Sequence, residues 1–83
     1  MKEFGASYVE RRLEVACLLA EVYMQMRMYD AAKHLLREES VHSRMFPMIH
    51  ARILFLYAVY PFLLSSGKRF LYHLLFNILL RFL

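Results

Sequence analysis

The chain has 83 residues, 60% of them hydrophobic, with eleven basic against seven acidic side chains, a net charge of +4 and one cysteine. This length allows at most one small domain, and a lone cysteine excludes an intrachain disulfide or a cysteine-based metal cluster. A hydrophobic fraction above the roughly 45–50% of soluble domains implies surfaces buried in a hairpin, against a partner or in a membrane.

The positive charge is unevenly placed. Through Arg44 the basic residues balance the acids one for one, whereas Arg52, Lys68, Arg69 and Arg81 follow with no acid after Glu39. Four scattered cations are not the clustered surface that neutralises phosphates, so nucleic acid is not expected as a partner. The start, MKEFGASYVERR, carries acids and has no apolar run before Leu18, so it lacks the core of a secretory signal. A reducing, cytosolic or nuclear setting is expected for the first half.

Taken in order, Ser7 with Glu10 three residues on forms an S-x-x-E capping pattern, which predicts a first helix from about Tyr8. Val9, Leu13, Ala16, Leu19, Ala20, Tyr23 and Met26 then follow three- and four-residue steps, with charged residues on the other faces. The period breaks near Arg27 and Met28. Tyr29, Ala32, Leu35 and Leu36 open a second stripe, with Asp30 in the first turn as the helix dipole prefers. So short a connection requires antiparallel packing, with the small Ala20 and Ala32 letting the backbones approach.

This residue grammar resembles the tetratricopeptide repeat, a helix-turn-helix of about 34 residues. With Leu13 as first position, Leu19, Ala20, Tyr23, Tyr29, Ala32 and Leu36 fall on the family's framework positions. Four positions depart: Ala16 stands for a Trp, Arg27 for the turn Gly, Glu39 for a late Ala and Arg44 for the terminal Pro. The resemblance implies an all-α interaction scaffold that binds a protein partner or neighbouring repeats in a multiprotein assembly, with no catalytic activity. Such solenoids generally need about three repeats, so one complete copy implies a fragment of a larger array.

Arg37 to Met45 reads as a helix end and linker, and Pro47 opens a third helix over Met48 to Tyr60. Ile53, Leu56 and Tyr60 are spaced like the first helix of another repeat, before Pro61 kinks or ends it. The expected organisation is therefore a repeat-like hairpin over 1–46, a partial repeat over 47–66 and a hydrophobic tail over 67–83.

Three readings are open for residues 53–83. The tail is a membrane hairpin or anchor, although neither apolar run reaches the roughly 18–20 residues of a spanning helix; or it is repeat core that further repeats or a partner cover. The third possibility is read-through sequence, because Gly67-Lys68 can be encoded by a splice-donor pattern. The second function class is thus a small membrane-associated protein with a cytosolic helical head.

No cofactor, metal or catalytic site is expected. His34, His42 and His50 recur every eight residues, which is not a helix-face ligand spacing. SSGKRF has a Gly-Lys pair but Phe62 where a phosphate loop needs its first glycine, and Arg69 where it needs Ser or Thr. Methionines 24, 26, 28, 45 and 48 surround the hairpin turn, as core filler or as adaptable contact surface.

Overall fold

The first helix begins well before the expected cap. In the computed structural model, which describes residues 2–82 and side chains from Tyr8 onward, α1 spans Lys2–Gln25. Gly5 and Ser7 lie inside it, so the Ser7–Glu10 pattern does not mark its start; the Ser7 side chain is outside the described ones. One interior glycine costs a helix only about 1 kcal/mol, which the helix formers around it offset. Then follow α2 (Tyr29–His42), α3 (Pro47–Ala58), α4 (Tyr60–Ser65) and α5 (Leu71–Leu80), with no strand among the described residues. The fold is all-α.

Arg27, where the sequence resemblance expects a turn glycine, adopts φ 63°. Around it Met28 N–H donates to the Tyr23 carbonyl (2.8 Å) and Arg27 N–H to that of Met24 (3.0 Å), the paired bonds of a Schellman cap. The departure from glycine therefore keeps the conformation and accepts its steric cost. Beyond the turn, Arg12 reaches Glu39 at 2.9 Å, so positions roughly equidistant from Arg27 meet and α1 and α2 run antiparallel.

The third helix comes back parallel to the first. Glu21 faces Arg52 (3.7 Å) and Gln25 Nε2 donates to Tyr60 Oη (3.0 Å), so both residue numbers rise together. Against α2 the order is reversed, with Lys33 over the Tyr57 ring at 5.8 Å and Ser43 Oγ 2.7 Å from His50 Nδ1. Pro47 takes the first turn of α3, one residue earlier than expected, and the helix breaks at Val59 rather than after Tyr60. Val59 N–H still donates to Phe55 O (2.8 Å) and Leu63 N–H to Val59 O (3.0 Å), so α3 and α4 form one kinked path. Pro61 supplies the kink, because it has no N–H for the preceding turn and its ring crowds the carbonyl there.

A second left-handed cap joins α4 to α5. Gly67 has φ 71°, Lys68 N–H donates to Leu63 O (2.8 Å) and Gly67 N–H to Leu64 O (3.2 Å). The tail that follows buries one side of its helix: Tyr72 is buried, while Leu71, Leu75 and Phe76 are half-buried. Its ring lies 4.8 Å from that of Tyr60 and 5.4 Å from that of Phe55, in tilted pairs that aromatic quadrupoles favour. One contiguous core therefore joins Leu13, Cys17, Ala20 and Met24 to Ala32 and Leu36, and through Ile53 and Leu56 to Tyr60, Leu63 and Tyr72.

Gly67→Ala should cost about 1 kcal/mol, because no atom lies within 4 Å of the added methyl and only the left-handed backbone is penalised. Arg27→Gly should instead gain about 0.5 kcal/mol, the relieved strain being partly offset by glycine's greater unfolded-state entropy; urea unfolding with unchanged m-values reads both. The Arg12–Glu39 pair should be asymmetric, since Arg12 is 54% exposed and Glu39 only 7%, with Glu39 Oε2 unpartnered. Arg12→Ala strands a buried carboxylate and should cost about 2 kcal/mol, whereas Glu39→Ala lets Arg12 return to water and should cost under about 1 kcal/mol.

Candidate functional site

Helix α1 is apolar on two faces. Leu13, Ala16, Cys17, Ala20 and Met24 point into the core. On the opposite side Tyr8, Val15, Leu18, Leu19, Val22 and Met26 are between 40% and 64% exposed. Their steps of three, four and seven residues place them on one stripe, as on a core-facing helix, yet they stand exposed among the described residues. Glu10, Glu14, Glu21 and Gln25 occupy one edge between the two faces. The arrangement presents an apolar strip with acids along one edge, Arg11 within it and Arg12 along the other edge.

This geometry redistributes the expected residues. Ala20, Ala32 and Leu36 are fully buried and Tyr23 and Tyr29 half-buried around the hairpin seam. Leu19 and Met26, expected on the core stripe, lie outside it, and Cys17 and Met24 take the inner places. With an apolar residue available at nearly every helical step, the period alone was consistent with either set. Glu39, at the late Ala position, is buried through Arg12, which no local pattern signalled because the two residues stand 27 apart.

A polar seam runs beneath the stripe where α1 meets α3, α4 and α5. Besides Glu21–Arg52 and Gln25–Tyr60, it contains the buried Tyr72 hydroxyl beside the Arg52 guanidinium, whose Nε is buried too and which interacts with it short of full hydrogen-bond geometry. Burial pushes the Tyr72 phenol up to about 12, against the opposing pull of Arg52. The same cause raises the Cys17 thiol to about 11, so it is held protonated and shielded inside the core. Beside the seam an open cavity of about 360 Å³ is bounded by Glu21, Gln25, Tyr60, Tyr72, Arg69 and His73, with the largely exposed Phe70 at its rim. The histidines singled out by their eight-residue spacing go to separate places: His34 pairs with Glu38 (3.0 Å), His50 with Ser43, and His42 is exposed.

The second exposed apolar face belongs to α5, where Phe70, Leu74, Ile78 and Phe82 recur every four residues and all stand out of the core. Lys68, Arg69 and Arg81 lie exposed at its two ends. No helix among the described residues is long and apolar enough to cross a membrane.

Comparison with protein-family models, with curated proteins and with solved structures finds no match for this chain. The case for function therefore rests on the two faces and the seam.

The unpartnered hydroxyl makes a direct expectation. Tyr72→Phe removes a buried polar atom while keeping the ring contacts but withdraws the polar neighbour of the buried Arg52 Nε, so the two effects oppose and stability at pH 7 should change by no more than about 1 kcal/mol. In the parent, stability should fall as pH rises from about 10 to about 12, because the unfolded phenol loses its proton first and the folded one retains it. Cys17 adds a similar loss beginning near pH 9. Urea titrations across this range should show a shallower decline for Tyr72→Phe.

Proposed function

We propose that this chain is a protein–protein interaction element of the tetratricopeptide type, a scaffold segment whose outward α1 face receives an apolar helix from a protein partner or a neighbouring repeat. The observation that carries the reading is the exposed stripe of Tyr8, Val15, Leu18, Leu19, Val22 and Met26. Contiguous exposed apolar surface on a helix already buried on its other side is characteristic of an element that packs between two neighbours. The accessible surface, 6084 Å², also exceeds the about 5,200 Å² that a monomer of this mass exposes.

Helix order supports the family resemblance. α1 and α2 are antiparallel, α3 returns parallel to α1, and shifting by 36 residues brings Cys17, Ala20 and Met24 onto Ile53, Leu56 and Tyr60, all buried. In a stack built by that shift, α1 has the same need of a preceding helix that α3 meets with α2. The role is structural, without cofactor, in a cytosolic or nuclear assembly.

A photo-crosslinking residue at position 18 should form an adduct with a protein partner in cells, and one at Glu38, on the solvent side of α2, should not. Leu18→Glu with Val22→Glu should weaken that association by about 2 kcal/mol or more and change the melting of the isolated chain little. Equal labelling from positions 18 and 38 would sink the reading.

A further inference from the structure

We propose that the outer face of α5 docks flat onto an anionic lipid surface, its apolar side chains entering the interface and its terminal cations meeting lipid phosphates. This surface is separate from the α1 stripe and independent of the role assigned to it. Its apolar line begins with Phe70, 75% exposed, continues through Leu74 and Ile78, and ends at Phe82, 83% exposed. His73, Asn77 and Arg81 form the adjacent four-residue line, so apolar and polar groups share the outward side.

Charge decides what can lie against this face. Lys68 and Arg69 precede α5 and Arg81 follows it, and among the described residues none of the three makes an ion pair. The chain has no acid after Glu39, and Glu21, which borders the same cavity as Arg69, lies 3.7 Å from Arg52. The face therefore combines uncompensated positive charge with large apolar groups, the pairing that binds interfacial helices to acidic bilayers.

α5 packs chiefly on α3 and α4, and its outer side is uncovered among the described residues. Ten residues make α5 about 15 Å long, enough to lie in the interface and far too short to cross it.

The test uses the full chain with phosphatidylcholine vesicles and with vesicles carrying about 30% phosphatidylserine. Co-sedimentation is expected with the acidic vesicles and to fall as salt is raised. Lys68→Gln with Arg69→Gln, both at exposed positions, should lower the partition coefficient about thirtyfold while leaving the circular dichroism unchanged. The chain has no tryptophan, so Phe70→Trp places a probe in the face and Val15→Trp a control in the α1 stripe. A blue shift with acidic vesicles for the first and none for the second is the expected result. Absence of sedimentation, equal binding to neutral vesicles or an unshifted Phe70→Trp would overturn the proposal. So would a dimer in sedimentation equilibrium that Ile78→Ser converts to monomer, since the face would then serve a second copy.

Discussion

Ala20 and Ala32 are both fully buried, and the register set by Arg12 and Glu39 places them opposite each other across the hairpin. Side chains this small let α1 and α2 approach closely, so that Leu13, Cys17, Met24 and Leu36 close over the seam. The position of α3 depends on that approach, because Ile53 and Leu56 complete the same core. Tyr60 and Tyr72 then extend the core to α4 and α5. A larger residue at either alanine would separate the hairpin and, through it, displace every later contact.

Three polar residues within the helical stack are accommodated by specific partners or local bonds. Glu39 is tolerated in the packed interface because Arg12 reaches across to it from a half-exposed position. Arg27 holds a left-handed turn that glycine would adopt without strain, while its neighbours supply both cap hydrogen bonds. Arg52 is drawn into the seam by Glu21 and lies beside a phenol that has no hydrogen-bond partner of its own. Glu39 and Arg52 thus depend on contacts made at long sequence distance, whereas Arg27 is accommodated by the local hydrogen bonds of its own turn.

Two apolar faces of different character remain uncovered. The α1 stripe is bordered by acids along one edge and sits on a helix that is packed on its other side, so its chemistry suits another helix. The α5 face is bordered by cations and lies at the edge of the stack, so its chemistry suits an acidic interface. The division of charge at Arg44 thus has a spatial counterpart.

The sequence by itself determined the all-α class, the hairpin and its turn at Arg27, the boundary at Pro47 and the kink at Pro61, because local periodicity, short connections and proline chemistry act within a few residues. It also marked Ala20, Ala32 and Leu36 as packing positions, since small and large apolar residues at helical spacing carry that information. Only the tertiary structure decided which of two apolar stripes on α1 faces inward: both satisfy the same period, and the choice of Cys17 and Met24 over Leu19 and Met26 is made by α2 and α3. It decided, too, that residues after Gly67 fold back as α5, because the anchoring contacts of Tyr72 with Phe55 and Tyr60 join residues that share no local pattern.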